Sequence, residues 1–233
     1  TVLINSLLLI ILNVIITKIT CQTNQDIASA ILEAQPVEPA IQEMIDAGVF
    51  YGRTKTKTHP RMRRYIAATR NSVEFIDLED TQRMLERALG FLKDKVKSGA
   101  NVLFVGTQPA AKEKTLAVAQ EFGYPAVVNR WLGGTITNFK VIHARIEYFK
   151  KLKADFAAGV FHKYTKKEQL MIEREIEGLT EVFGTLEGFA RLPDVLVITD
   201  TALHTTAVRE ARVAKIPVIG FVNTDVDPEL VSY

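Results

Sequence analysis

The 233-residue chain is long enough to bury a sizeable core, as one domain or as one domain with an insertion. A net charge of only +2 excludes a polycationic peptide that coats nucleic acid, and 47% hydrophobic residues are ordinary for a globular protein. The single cysteine, Cys21, excludes an internal disulfide and a cysteine-rich metal site.

The first predicted element is an apolar leader at residues 1–24, which carries no charge before Lys18. It is nearly long enough to span a bilayer, yet it lacks the basic start of a signal peptide and the arginines of a mitochondrial presequence. Because the chain also begins without methionine, we expect a truncated or mis-started reading frame. The alternatives are a membrane anchor and an unusual leader or buried helix. We expect no membrane association.

The rest of the chain alternates strands and helices, with one stretch of different character. In chain order we predict a helix at residues 25–46 that is broken near 35–39, a basic stretch, a strand at 71–78, a helix at 79–98, a strand at 101–106, a helix at 109–121, a strand at 125–129, two long helices within 139–186, a strand at 194–200, a helix at 202–214 and a strand at 217–222. The run at 101–106 is wholly apolar, as in a strand covered on both faces. This alternation predicts an α/β fold with a mostly parallel, three-layer sheet.

A basic segment, defined here as residues 53–70, concentrates the positive charge. No Asp or Glu lies between Tyr51 and Val73. In an extended chain Lys55 and Lys57 would project to one side, and Tyr65 supplies a ring that can stack on a base. We predict that the cations bind an RNA backbone; the alternative is a solvated loop without a partner. The cations are Arg53, Lys55, Lys57, Arg61, Arg63, Arg64 and Arg70.

A second candidate surface is the tryptophan segment, defined here as residues 129–139, which reads NRWLGGTITNF. It holds the only tryptophan, beside an arginine and before two glycines that allow a turn or a close approach. Thr137 and Asn138 offer capping side chains where a helix begins. We predict RNA contacts by Arg130, Trp131 and Asn138. The alternative is a tight strand-to-helix turn with a buried tryptophan.

Residues 139–186 carry two narrow apolar seams at helical spacing. We predict an antiparallel coiled-coil hairpin inserted into an α/β domain made of residues 25–138 and 187–233, with a capping box from Thr165 to Glu168 opening its second helix. The alternative is two ordinary surface helices that lie on the sheet. The seams consist of Phe139, Ile142, Ile146, Phe149 and Leu152, and of Ile172, Ile176, Leu179, Phe183 and Leu186.

Enzymatic chemistry has little support in the sequence. The turn at residues 106–111 could hold a phosphate at a helix N-terminus, but it lacks both nucleotide-binding glycine spacings, so a left-handed turn with a helix cap is expected. The four histidines show no metal-ligand spacing, and His204 after Asp200 is weak evidence for an acid–base pair. We predict no catalytic site, no metal and no cofactor.

Eight segments resemble, in order, the family of the second protein of the small ribosomal subunit, in its bacterial and organellar form. The resemblance covers roughly residues 45–233. Phe50 and Arg53 stand where the family usually has histidines, and His204 stands at a position that is usually acidic or polar. The segments are AGVFYG at 47–52, HPRM at 59–62, residues 71–80, LFVGT at 103–107, residues 129–139, TKKE and the following Leu170 at 165–170, residues 193–222, and NTDVDP at 223–228.

The resemblance implies a flavodoxin-like sheet with a protruding coiled coil. It also implies a structural, non-enzymatic constituent of the small ribosomal subunit that contacts small-subunit ribosomal RNA and helps to recruit the large, mRNA-binding first protein of that subunit. The expected location is the cytoplasmic ribosome, with an organellar ribosome as the alternative. Two other hypotheses remain: a doubly wound enzyme that binds a phosphorylated ligand at residues 106–111, and an assembly adaptor that works mainly through the hairpin.

Overall fold

The computed structural model describes residues 39–233. The apolar leader predicted at residues 1–24 and the first part of the helix predicted at 25–46 lie outside this range. Between residues 39 and 233, no helix is both long enough and apolar enough to cross a membrane.

Every helix and strand predicted within the described range is present, with bounds that shift by a few residues. The α-helices are α1 (Pro39–Asp46), α2 (Leu78–Lys97), α3 (Pro109–Phe122), α4 (Phe139–Ala157), α5 (Lys166–Phe183) and α6 (Thr205–Val213). The strands are β1 (Tyr51–Thr54), β2 (Ile66–Arg70), β3 (Val73–Ile76), β4 (Val102–Val105), β5 (Ala126–Val127), β6 (Val195–Ile198) and β7 (Val218–Gly220). Of these, β1 and β2 were not predicted.

The described chain divides into two compact units. The first runs to Gly99 and adds Asp200–Leu203 and Ile219–Tyr233, and the second consists of Ala100–Thr199 and His204–Val218. These units do not coincide with the predicted α/β domain and inserted hairpin. The division into an α/β domain and an inserted hairpin therefore stays a prediction.

The second unit contains the core of a four-stranded sheet with the order β5-β4-β6-β7. Strand β4 pairs in parallel with both β5 and β6. Every residue of β4 and β6 is buried, as expected for central parallel strands covered on both faces. The expected α/β fold with a parallel sheet is thus confirmed.

The first unit contains a separate antiparallel sheet with the order β1-β3-β2. Strands β2 and β3 are joined by Asn71 and Ser72, whose φ angles of 48° and 63° are both positive, as in the tight hairpin turns that match strand twist. Four of the five residues of β2 are exposed, so this strand shows no apolar alternation in the sequence. Phe50 stands where the family that the sequence resembles usually has a histidine. Its side chain is buried and stacks on Phe75, with the ring centroids 5.8 Å apart.

The long helices α4 and α5 lie in the second unit. Helix α4 buries Ile146, Phe149 and Leu152 of its predicted seam. Helix α5 opens with the predicted capping box, in which Thr165 and Glu168 exchange hydrogen bonds, so this prediction is confirmed.

Gly52 in β1 has no room for a side chain. A Cβ there would lie 2.7 Å from Thr224 Cγ2 and 2.8 Å from the carbonyl oxygen of Glu74. We expect Gly52→Ala to lower the free energy of unfolding by about 1–3 kcal/mol, because a backbone atom must move. Urea denaturation measures this. The control is Gly90→Ala in α2, which meets no atom within 4 Å and should gain about 0.5–1 kcal/mol. Equal stabilities of the two variants would contradict the crowding.

Candidate nucleic-acid interface

The basic segment begins in β1, passes through two short 3₁₀ helices and ends in β2. The 3₁₀ helices are Lys55–Lys57 and Pro60–Tyr65. The expected extended conformation at Lys55 and Lys57 is wrong. Successive residues of a 3₁₀ helix are rotated by about 120°, so these two lysines do not share one side of the chain.

Residues 223–229, which are distant in sequence, hold the basic segment in place. The side chain of Thr224 is fully buried. Its carbonyl oxygen accepts a hydrogen bond from the backbone N–H of His59 at 2.8 Å, and its Oγ1 accepts one from the backbone N–H of Arg53, also at 2.8 Å. These bonds bring the carboxylates of this stretch beside the basic segment.

Two arginines of the segment are paired with those carboxylates. Arg53 Nε lies 3.5 Å from Asp225 Oδ2, and Arg61 Nη1 lies 2.7 Å from Asp227 Oδ2 and 2.9 Å from Glu229 Oε2. Burial alone would raise the pKa of Asp227, but the N–H of Glu229 and the charge of Arg61 outweigh it and lower that pKa. Two of the seven cations of the basic segment therefore have counter-ions, although the segment itself contains no Asp or Glu. Such half-exposed pairs contribute little stability.

All seven cationic side chains of the basic segment are exposed to solvent. The guanidinium carbon of Arg64 lies 4.9 Å from the centre of the Tyr65 ring, so one face of the ring expected to stack on a base is already covered. Within residues 39–233, five of the seven cations form no ion pair, and they carry the strongest unbalanced positive charge of the segment. These five are Lys55, Lys57, Arg63, Arg64 and Arg70.

The tryptophan segment connects β5 to α4 in the second unit and is organised by one carboxylate. Oε1 of Glu210 accepts hydrogen bonds from Trp131 Nε1 at 3.2 Å and from the N–H of Gly134 at 2.8 Å. Oε2 accepts from the N–H of Ile136 at 3.0 Å, and from the N–H and the hydroxyl of Thr137, both at 3.2 Å. The positive φ of 91° at Gly134 allows the tight turn these bonds enclose.

The three RNA-contact candidates of this segment differ in exposure. Arg130 and Asn138 are exposed, whereas Trp131 is half-buried and its N–H is engaged by Glu210. Any RNA contact by Trp131 would therefore use its ring. The expected side-chain capping of α4 is wrong, since Asn138 makes no such bond and the hydroxyl of Thr137 donates to Glu210 instead. The basic segment and the tryptophan segment belong to different compact units.

Glu210 is buried and ionised. Its burial acts to raise its pKa, but the hydrogen bonds from the N–H groups of Gly134 and Ile136, from Trp131 and from Thr137 together lower the pKa below the ordinary glutamate value. A carboxylate with this many donors is stabilised in its charged form, because each donor favours the negative charge over the neutral acid.

The pH dependence of stability follows from that lowered pKa. A group whose pKa is lower in the folded chain contributes stability that is present above its unfolded pKa and is lost as the pH falls through the folded value. We therefore expect the gap in unfolding free energy between the unaltered protein and Glu210→Gln to narrow as the pH falls from about 7 towards and below about 4.3. Urea unfolding at stepped pH measures the gap. A gap independent of pH would contradict an ionised Glu210.

Gly106, the first residue of the turn considered for phosphate binding, is closely packed. A Cβ on Gly106 would collide with Thr115 Oγ1 and would lie 3.0 Å from Thr199 Oγ1, so this glycine serves close packing. Gly106 does not have a positive φ, so the expected left-handed turn is wrong. Gln108 precedes α3 as its N-cap residue, and its side chain makes no capping hydrogen bond to the helix.

Within the described part of the chain, no histidine cluster supports metal or acid–base chemistry. The ring nitrogen Nε2 of His204 lies 3.1 Å from the hydroxyl of Thr107, and the imidazole is buried. Asp200 Oδ1 accepts hydrogen bonds from the backbone N–H groups of Ala202 and Leu203, as in a turn. Among residues 39–233, no group of three or more His, Cys, Asp or Glu side chains is placed to hold a metal ion.

Sequence reasoning missed Glu210 and the acidic residues near the end of the chain. One signal was available for Glu210: it lies three residues after Ala207 and one before Ala211, on the buried face of α6. A glutamate on such a face needs hydrogen-bond donors from elsewhere. No comparable signal marked Asp225 and Asp227 as partners of arginines more than 160 residues away.

The chain is similar to known proteins over nearly the whole described range. A family model described as ribosomal protein S2 matches residues 44–233, close to the range of 45–233 predicted for the resemblance. The small ribosomal subunit protein uS2 of Thermus thermophilus is 40% identical over 198 residues, which cover 85% of this chain and 77% of that protein. Its counterpart in Rhodococcus erythropolis is 39% identical, covering 83% and 68%, and that in Coprothermobacter proteolyticus is 38% identical, covering 83% and 72%.

Proposed function

Because the chain belongs to the ribosomal protein S2 family, we propose that it is a structural constituent of the small ribosomal subunit. In this role it takes part in translation by binding small-subunit ribosomal RNA and neighbouring ribosomal proteins. The family is one of structural proteins, and the protein is not an enzyme. The observation that carries the proposal is the family match over residues 44–233.

The basic segment of the first unit is proposed to bind RNA, and Arg130, Trp131 and Asn138 of the second unit are proposed as separate RNA contacts. The exposed cations of the basic segment that lack ion pairs within the described range support this assignment, since a polyanion removes their mutual repulsion. Arginine donates two parallel hydrogen bonds to a phosphate, so it suits an RNA backbone. Contacts of this kind recognise the shape of folded RNA more than its base sequence.

The pairing of Arg53 and Arg61 with carboxylates is compatible with that role. Both arginines remain about half exposed, and exposed pairs are weak, so RNA phosphates can compete with Asp227 and Glu229 for Arg61. The five other cations of the segment nevertheless carry the larger share of the proposed contacts. Arg63 and Arg64, adjacent in sequence, are the first residues to test.

Residues 139–186 are proposed to form an antiparallel coiled-coil hairpin inserted into a flavodoxin-like, three-layer domain of residues 25–138 and 187–233. One contact supports the pairing of the helices: Tyr148 of α4 donates a hydrogen bond to Glu175 of α5 at 3.1 Å. Exposed apolar side chains on α5, such as Met171, offer a surface for neighbouring ribosomal proteins. The large, mRNA-binding first protein of the subunit is one proposed partner.

The proposed location is the small subunit of the cytoplasmic ribosome, and an organellar ribosome is the alternative. Co-sedimentation tests the proposed function. The purified full chain is mixed with bacterial small subunits from which their own family member has been removed, and the mixture is separated on a sucrose gradient. We expect the chain to migrate with the subunits and the free chain to stay at the top of a parallel gradient. A chain that stays at the top in both gradients would contradict the proposal.

A further inference from the structure

We infer that Glu210 is a positioning residue that fixes the tryptophan segment so that Arg130 is presented to ribosomal RNA. The inference rests on the proposed function, because it concerns how one part of the proposed RNA surface is held in place. It goes beyond that function by assigning a role to a buried residue that touches no RNA itself.

The carboxylate of Glu210 accepts hydrogen bonds from several residues of the tryptophan segment. Five donors from residues 131–137 reach the two oxygens of Glu210 at distances of 2.8 to 3.2 Å. They include three backbone N–H groups, so the carboxylate fixes the path of the main chain as well as a side chain. Charge-assisted bonds of this kind are stronger than neutral ones. The loop is therefore held by a single group on α6.

Arg130 lies between two residues that are both anchored by hydrogen bonds. Before it, the side-chain amide of Asn129 donates a hydrogen bond to the carbonyl oxygen of Glu181 in α5. After it, the indole N–H of Trp131 donates to Glu210. Arg130 itself is exposed, and it has no ion pair among residues 39–233. The fold thus places an exposed guanidinium between two fixed points.

Ordering of the loop before RNA binds lowers the free-energy cost of a contact made by Arg130. A phosphate contact made by a cation on a mobile loop carries the entropic cost of ordering that loop when RNA binds, whereas a loop that is already ordered does not. Loss of the Glu210 bonds would let residues 130–137 sample other conformations. The contact of Arg130 with RNA would then weaken, although the charge of Arg130 is unchanged.

The test is a double-mutant cycle in RNA binding. Glu210→Gln, Arg130→Ala and the double variant are titrated with small-subunit ribosomal RNA at several salt concentrations, after circular dichroism has shown each to be folded. If Glu210→Gln does not fold, Glu210→Asp replaces it, since that change keeps the charge and shortens the side chain that accepts the five hydrogen bonds. Glu113→Gln, an exposed glutamate of α3, is the matched control.

Affinity falls as salt rises, so the slope of log affinity against log salt is negative. We expect Arg130→Ala to reduce the magnitude of this slope by about 0.7–0.9, the value of one phosphate contact. Glu210→Gln is expected to reduce it by a similar amount, and the double variant by no more than either single one. The coupling between the two sites should be about tenfold in affinity, within the range seen for residues in one network. A purely structural defect would reduce the active fraction and leave the slope unchanged.

Two results would overturn the inference and leave the proposed function intact. One is an unchanged salt slope in Glu210→Gln when Arg130→Ala reduces its magnitude. The other is an unchanged slope in Arg130→Ala when variants of the basic segment reduce its magnitude. Absence of RNA binding by the unaltered chain would instead contradict the proposed function.

Discussion

Replacement of Glu210 by alanine is expected to lower the free energy of unfolding by about 2–5 kcal/mol, because it removes a buried carboxylate that accepts several hydrogen bonds. The truncation removes the acceptor for the indole N–H of Trp131 and for the backbone N–H groups of Gly134, Ile136 and Thr137. Buried N–H donors without an acceptor destabilise the folded chain, unless water enters and accepts their hydrogen bonds.

Urea denaturation followed by circular dichroism measures this loss. The matched control is Glu113→Ala, which removes an exposed glutamate from a helix and should change stability by less than about 0.5 kcal/mol. If Glu210→Ala lowered the free energy of unfolding by less than about 1 kcal/mol, water would be replacing the hydrogen bonds to Glu210 with little loss of stability. The structural account of the tryptophan segment would then be wrong.

Replacement of both Arg63 and Arg64 by alanine is expected to weaken binding to small-subunit ribosomal RNA strongly. Both side chains are exposed, and neither forms an ion pair within the described range. Each phosphate interaction that is removed should reduce the magnitude of the negative slope of log affinity against log salt by about 0.7–0.9. The two together should reduce it by about 1.4–1.8. The decrease in affinity should be largest at low salt, where counter-ion release contributes most.

The comparison uses titrations between about 50 and 200 mM salt. Lys93→Ala with Lys97→Ala is the control, because it removes two exposed cations from α2 and leaves the basic segment intact. We expect its salt slope to match that of the unaltered protein. If the two double variants had equal slopes, the positive charge of the basic segment would have no special part in RNA binding.

The sequence alone predicts the elements whose signals are local. The run at β4 is apolar at every position, and α2 shows regular helical spacing, so both were found to within a residue at each end. The capping box at Thr165 and Glu168 depends on a spacing of three residues and could be read directly. Strands β1 and β2 carried no such signal, since most of their residues are charged, small or exposed.

The candidate interface was less predictable because its geometry depends on contacts that are distant in sequence. Arg61 and Asp227 are 166 residues apart, and Ile136 and Glu210 are 74 residues apart. A charge count can locate a basic segment, but it cannot show which cations the fold will neutralise. Periodicity likewise could not show that Lys55 and Lys57 enter a 3₁₀ helix, since Thr, Lys and Pro favour several turn conformations.

The most direct measurement of the RNA surface is crosslinking of the full chain to ribosomal RNA in reconstituted small subunits, with identification of the crosslinked peptides by mass spectrometry. We expect crosslinks within the basic segment and few on α2, where the exposed Lys93 and Lys97 serve as an internal comparison. Crosslinks along α2 combined with none at residues 53–70 would contradict this expectation.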